Sequence, residues 1–414
     1  MTAEFRDALV RWHAAAVAAV QPEQVFEKHA RVRDGVFDFE RDARRVQLSL
    51  PTRGGRLRVI GIGKAALGMA RGFRARLRAA GHDIDDGLLI LRDAPTESTD
   101  EPWDILLGNH PYPDEDSERA ARRLLEFIGE PRADDRFVVL LSGGASALCA
   151  LPAPGVTLEE KRRATRTLMH LGASIADLNR LRQQLSAIKG GRLGARLAPA
   201  AWVTLAVSDV PGDDPLVIGS APTWSEQLAR EGAQYAVIAT LDDALDAARC
   251  AAQAEGFDTV SLGRCLYESV EHETTRVLNE IERDRTNPFR HQPRVLLAGG
   301  EPLVTVRGSG RGGRAQELAL RMGMSLGDGR DDAPAEGITG LVAGTDGSDG
   351  PTTAAGAFFD GTTRLRAARA GLDLARTLET NDSGSALQRL GDLFITGPTG
   401  TNVADVLMVV IPSR

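Results

Sequence analysis

The chain is short of cysteine, of aromatics, of basic surplus and of long apolar runs, and each shortage removes a class of protein. Three of its 414 residues are cysteine, at 149, 250 and 265. The count is odd and no spacing pairs them, which argues against a disulfide framework and for a reducing compartment. No C-x-x-C or H-x-x-x-H cluster offers a zinc site. No uninterrupted apolar run reaches the roughly 18 residues of a membrane span. The opening MTAEFRDALVRWHAAAVAAVQPE lacks the basic-then-apolar order of a signal peptide. A soluble, cytoplasmic protein is expected. Lys and Arg number 50 against 57 Asp and Glu, a net charge of −7. Without concentrated positive charge, neither nucleic acid nor membrane is expected as a partner. Aromatics are only 5%, but 42% hydrophobic and 26% charged residues still allow a sizeable core. The length suggests two or three domains.

What is present is a series of short apolar runs that alternate with amphipathic stretches. Runs at 57–60, 87–91, 105–107, 137–141 and 202–207 are nearly continuous in apolar character. Most are followed by Gly, Ser or a charged residue. That pattern predicts parallel strands buried on both faces, with chemistry at their carboxyl ends. A second series follows at 235–240, 295–298, 338–343 and 406–411, and the polar stretch 325–337 reads as a loop. A long helix is predicted over 158–187, capped by Thr157 with Glu160 and striped by Leu168, Leu171, Ile175, Leu178 and Leu185. The expected architecture is α/β in two domains, 1–230 and 231–414. The first has a Rossmann-like parallel sheet, the second is mixed α/β, and a cleft lies between them.

Seven stretches carry the chemistry. Gly61-Ile-Gly63-Lys-Ala-Ala66 formally satisfies the dinucleotide pattern, yet it also sets Lys64 where an anion would approach. Ser142, Gly143, Gly144 and Ser146 follow the most convincing strand and are predicted to cradle phosphate or a carboxylate. Asp209, Asp213 and Asp214 crowd one loop, and Asp209 comes directly off a strand. Mg²⁺ uses one or two such carboxylates with phosphate oxygens and water. Arg307, Arg311 and Arg314 lie among glycines after a predicted hairpin at 303–307, which suits polyanion binding. Asp346 and Asp349 stand three apart in a glycine loop and are candidates to share a metal or act as a base. The polar turns at 381–387 and 396–406, with Asn402 in the latter, could hold a hydroxy-acid by hydrogen bonds. For Ser142–Ser146 and the aspartate loops the competing reading is an ordinary tight turn, and for the arginines it is a flexible, solvent-facing basic loop.

Taken in order, these motifs resemble the class II glycerate 2-kinase family, in which a kinase-like domain precedes a domain known as MOFRL. The resemblance spans nearly the whole chain. It rests on Gly61–Ala66, Ser142-Gly-Gly, Lys189-Gly-Gly191, Ser208-Asp-Val-Pro-Gly-Asp213, Gly312-Gly-Arg-Ala-Gln-Glu317 and Gly344-Thr-Asp-Gly-Ser-Asp349. It implies ATP-dependent phosphorylation of D-glycerate at its 2-hydroxyl, with Mg²⁺ and an interdomain active site. The family's active-site lysine falls on Lys64 and its arginine on Arg314. Arg182 and Lys189 are candidates for the substrate carboxylate, and Asp209, Asp346 and Asp349 for the metal. Ala145, Ala315 and Ala404 depart from the family pattern; Asn is usual at 315 and common at 404. Members have also been called hydroxypyruvate reductases, so an NAD(P)H-dependent reductase is the alternative. A non-catalytic sugar-acid sensor is a third reading, and a homodimer is left open.

Overall fold

The computed structural model describes residues 2–52, 54–95, 101–170, 175–286, 292–326 and 337–413. The chain forms two compact units. One comprises Gln21–Thr240 with Gly400–Asn402; the other comprises Met1–Val20, Leu241–Thr399 and Val403–Arg414.

The first unit is built on six parallel strands. Across the sheet they run Trp103–Leu107, Asp86–Leu91, Leu57–Ile62, Arg136–Leu141, Ala201–Val207 and Gln234–Ala239. In chain order that is 3-2-1-4-5-6, the doubly wound arrangement expected. Leu57–Ile62 is buried at every position, which explains its unbroken apolar reading. Its one charge, Arg58, donates to Asp86 Oδ1 at 2.8 Å and to the Phe127 carbonyl at 2.6 Å, with its guanidinium 4.1 Å from the Phe127 ring centre. The strand order reverses between Leu57–Ile62 and Arg136–Leu141. A crevice opens outside the carboxyl ends of strands at such a reversal, where ligands bind in this fold. Lys64 and Ser142–Gly144 follow those two ends directly.

A small antiparallel sheet of Ala30–Arg33, Val36–Arg41 and Arg44–Ser49 was not anticipated. Its signal was present: Asp34-Gly35 is a hairpin dipeptide flanked by alternating residues, and both adopt positive φ. Phe37 and Phe39 turn inward against Phe26, and Phe37 also packs on Phe73. The predicted capping box is present. Thr157 N donates to Glu160 Oε2 at 2.8 Å and Glu160 N to Thr157 Oγ1 at 3.1 Å. The long helix is two described helices, Leu158–His170 and Ile175–Gln184, and Leu171 lies outside the described residues.

The second unit holds a mixed sheet ordered Asp258–Leu266, Arg294–Gly300, Asp405–Ile411, Thr339–Gly344, Gly356–Asp360 and Leu393–Phe394. The first pair is parallel and the others antiparallel. The last long strand, Asp405–Ile411, lies inside the sheet and is buried throughout. The loop expected at 325–337 falls largely outside the described residues.

Three expectations need correction. The strand Gln234–Ala239 pairs with Ala201–Val207, so its hydrogen-bond ladder places it in the first unit, not after a boundary at 230. The opening helix Thr2–Ala19 belongs to the second unit. Its Arg11 pairs with Glu255 at 2.7 Å and Trp12 meets Phe257 edge-on at 4.9 Å. No hairpin forms at 303–307: Leu303 makes an isolated bridge to Ser269, and Arg307 N and Gly308 N donate to Asn381 Oδ1. Among the described residues no helix is long and apolar enough to cross a membrane.

Candidate active site

The glycine turn after Leu57–Ile62 is closed by the neighbouring turn. Gly63 N donates to Ile90 O, Lys64 N to Gly143 O, Ala65 N to Ser142 Oγ and Ala66 N to Gly63 O, at 2.9–3.3 Å. A dinucleotide site needs such amides for pyrophosphate. Here all four are satisfied within the protein. Ser142, expected at phosphate, is 1% exposed and accepts the Ala65 amide, so it closes this turn. Gly63 has φ +131°, and a Cβ there would lie 2.2 Å from Ser142 Oγ and 2.6 Å from its carbonyl oxygen. Gly63→Ala is therefore expected to cost about 3 kcal/mol, from backbone strain and overpacking together. Urea unfolding measures it; a midpoint within error of wild type would show that the two turns are not locked.

Gly143 supports a polar pair. Asn402 Nδ2 donates to Asp209 Oδ2 at 2.9 Å, and a Cβ on Gly143 would lie 2.0 Å from that oxygen. Gly144 is beside Lys64: a Cβ would stand 3.7 Å from Lys64 Cγ and 3.4 Å from His110 Cδ2. Thus Lys64, Gly143, Gly144, Asp209 and Asn402 gather at the sheet's switch point. Of the other two loop aspartates, Asp214 accepts the Leu216 amide at 2.8 Å, an ordinary turn contact.

Ser146 lies on a second, deeper cluster. Its hydroxyl is 2.9 Å from Ser220 Oγ and 2.5 Å from Lys189 Nζ, and Lys189 also donates to the Ser146 carbonyl. Lys189 is 2% exposed. Burial pushes its pKa well down, and the positive charges of Lys161 and Arg182 add to this. Lys161 donates to Leu185 O at 3.0 Å, and burial lowers it to about 8. Arg182 is lowered by burial. Among the described residues none of these three cations pairs with a carboxylate, an arrangement suited to an anion. Sequence reasoning found Arg182 and Lys189 but missed Lys161, Asn179 and Ser220. Only the fold brings them together.

In the second unit Arg314 opens the helix Arg314–Leu326, where the macrodipole disfavours a cation. Three carboxylates compensate. Arg314 Nε donates to Asp405 Oδ2 and Nη2 to Glu301 Oε1, each at 2.6 Å. Burial alone would lower its pKa, but the Asp405 and Glu301 charges hold it well above the ordinary value. Asp349 accepts from Ala315 N at 3.2 Å and Gln316 N at 2.8 Å, capping the helix start. Burial, with the Asp405 charge, raises its pKa to about 7 against those amides. Asp405 and Glu301 were not singled out from sequence. Asp405 faces Gly300 on one neighbouring strand and Gly344 on the other, a register that sequence does not display.

Of the three aspartates expected at metal, Asp209 belongs to the first unit, and Asp346 and Asp349 belong to the second. Among the described residues no group of three metal-competent side chains exists. Asp349 spends both oxygens on amides, while Asp346 Oδ1 accepts from Ser348 N at 2.9 Å. A Cβ on Gly344 would meet Asp346 Oδ1 and Asp405 Oδ1 equally, at 3.2 Å, so these two carboxylates flank one bare backbone position. The turn at 381–387 is structural, since Asn381 and Asp382 accept the amides of Arg307, Gly308 and Arg311. Ala315 is fully buried, so its side chain is a packing contact. Ala404 holds φ +83°, a conformation Asn tolerates better than Ala.

Residues 8–248 match a family described as a domain of unknown function, DUF4147, and residues 294–405 match the MOFRL family. A D-glycerate 2-kinase from Thermotoga maritima is 36% identical, over 86% of this chain and 91% of that protein. A provisionally named hydroxypyruvate reductase from Agrobacterium vitis is also 36% identical, over 88% and 89%. The crystal structure of a glycerate kinase from Thermotoga maritima aligns over 99% of both chains with a TM-score of 0.79 and 31% identity. The order of the two matched families, the extent of the relatives and the shared fold agree with the motifs at Lys64 and Arg314: the chain belongs to the class II glycerate 2-kinase family.

Proposed function

We propose that the protein transfers the γ-phosphoryl group of ATP to the 2-hydroxyl of D-glycerate, giving 2-phosphoglycerate and ADP. The observation that carries this reading over the reductase is the closed glycine turn. The amides of residues 63–66 are satisfied internally, so the turn offers no pyrophosphate cradle. It presents Lys64 beside Gly144 instead.

Phosphoryl transfer needs positioning and neutralisation of charge more than covalent help. Lys64 and Arg314 are the cations proposed to act on the migrating group. Arg314 is pre-organised for this by Asp405 and Glu301. Asn402 and Asp209 position the turn that carries Gly143. Mg²⁺, which accepts one or two protein carboxylates with phosphate oxygens, is proposed at Asp346, and when bound would neutralise phosphate charge. Arg182 and Lys189, in a cation cluster without carboxylates, are proposed for the substrate's anionic end. The three thiols are unpaired, which suits the cytoplasm proposed as its compartment.

A coupled ADP-release assay over a panel of hydroxy-acids, with the product position read by NMR, tests the proposal. ADP with D-glycerate and a phosphate on the 2-oxygen is expected. Oxidation of NAD(P)H with hydroxypyruvate, and no ADP from glycerate, would overturn it.

A further inference from the structure

Arg307 and Arg311 take no part in the site described above, yet the fold holds both of them outward on one fixed segment. We propose that the ribbon 303–311 of the second unit seats the nucleotide, with polyphosphate on Arg307 and Arg311 and the base on Leu303 and Val306. The proposal rests on the kinase reading above and adds the place where its phosphoryl donor binds.

The ribbon is tethered through its backbone. Leu303 N donates to Glu268 O at 2.8 Å, and Val270 N donates to Leu303 O at 3.0 Å. Asn381 grips the middle. Its Oδ1 accepts from Arg307 N at 2.6 Å and Gly308 N at 3.0 Å, and its Nδ2 donates to Thr305 O at 3.2 Å. Gly310 N donates to Thr380 O at 2.9 Å, Arg311 N to Asp382 Oδ1 at 2.9 Å, and Gly384 N to Arg311 O at 2.8 Å. A Cβ on Gly308, Gly310 or Gly312 would lie 2.2–2.6 Å from atoms of residues 380–383, so this face is bare and closely packed. Arg307, Ser309 and Arg311 occupy the alternate positions and are exposed. A backbone fixed before the ligand arrives loses little freedom on binding.

The outer face offers charge beside apolar surface. Among the described residues neither the Arg307 nor the Arg311 guanidinium meets a carboxylate or another hydrogen-bond acceptor. Arg314, three residues beyond Arg311, is by contrast held by Asp405 and Glu301. Leu303 is 59% exposed and Val306 77%. Single exposed aliphatic residues are common, but these two share one short, fixed segment with two unneutralised cations. D-glycerate bears oxygen on each of its three carbons and has no apolar face to cover them. A nucleoside polyphosphate has both parts: phosphates that pair with guanidinium forks, and a flat base that covers aliphatic carbon. Residues 311 and 314 stand at most about 11 Å apart between Cα atoms, so one polyphosphate chain can touch both side chains. The terminal phosphate then falls to Arg314, the cation proposed to act on the migrating group.

The test titrates wild type, Arg307→Ala, Arg311→Ala, the double variant and Val306→Ser with ADP and with inorganic tripolyphosphate, by calorimetry. Each arginine variant should weaken ADP about 5- to 10-fold, and the double variant about 50-fold. Tripolyphosphate should weaken in parallel. Val306→Ser should weaken ADP about threefold and leave tripolyphosphate unchanged, since it meets the base alone. In turnover, KM for ATP should rise in the double variant while KM for D-glycerate stays within about twofold. Thermal midpoints should stay those of wild type, because the tethers are backbone groups. ADP affinity within about twofold of wild type in the double variant overturns the proposal. So does a KM increase confined to D-glycerate, which would seat the acceptor here, and so does a wild type that binds no ADP. Wild-type turnover of glycerate is measured first. A protein that binds ADP through these arginines yet phosphorylates no hydroxy-acid ends the kinase reading and leaves the nucleotide site standing.

Discussion

Replacing Lys64 with alanine is expected to lower kcat about 10³-fold while the circular dichroism spectrum stays that of wild type. The two halves of this expectation have different origins. The fold around residue 64 is held by backbone groups: Lys64 N bonds to Gly143 O, and its neighbours bond to Ile90 O and Ser142 Oγ. Those bonds survive loss of the side chain. The ammonium is proposed to meet charge that develops on the transferred group, and removing one such stabilising group commonly costs 10² to 10³ in rate. Lys64→Arg should recover only a part of it, because a planar fork does not replace a compact point charge beside Gly144. A kcat within about fivefold of wild type in Lys64→Ala would remove Lys64 from the mechanism.

Arg314→Ala should combine a loss of stability with a loss of rate, and the two can be separated. The guanidinium is a third exposed, while Asp405 beside it is 3% exposed. Removing it leaves Asp405 buried without a counter-charge, at a cost of about 3 kcal/mol, the low end for a broken buried pair. Burial already raises the Asp405 pKa, and Arg314 pulls it back. A carboxyl whose folded pKa lies above its unfolded value loses stability as pH rises through the folded value. The Arg314→Ala deficit should therefore be smaller at pH 5 than at pH 8 by urea unfolding. Adding Asp405→Asn should recover most of the stability. If Arg314 also contacts the migrating phosphoryl group, kcat stays about 10³-fold down in the double variant. Recovery of both together would make Arg314 a structural residue alone.

Lys64 was legible in the sequence because strand, glycine turn and helix are local, and a cation inside that turn stands out. Arg314 was found among glycines for the same reason, but what holds it was not. Asp405 lies 91 residues away and reaches it only because the last strand enters the sheet between Arg294–Gly300 and Thr339–Gly344. At Ser142 the fold adds a role that the local sequence does not display. A hydroxyl beside two glycines reads as a phosphate ligand, yet its nearest anion-like duty is to accept an amide of the adjacent turn. At Asp349 a helix start 35 residues upstream uses both carboxylate oxygens, a contact that the local sequence does not display.

By itself the sequence determined the six parallel strands of the first unit, the capped helix and the chemistry-bearing turns, since apolar period and turn residues act over a few positions. It also determined the family. Tertiary structure alone decided which carboxylates face Arg314, that the first helix joins the later unit, and that Ser146, Ser220, Asn179 and Lys189 meet. Those outcomes depend on strand register and on which buried polar groups must find partners, and neither is encoded within any one stretch of chain.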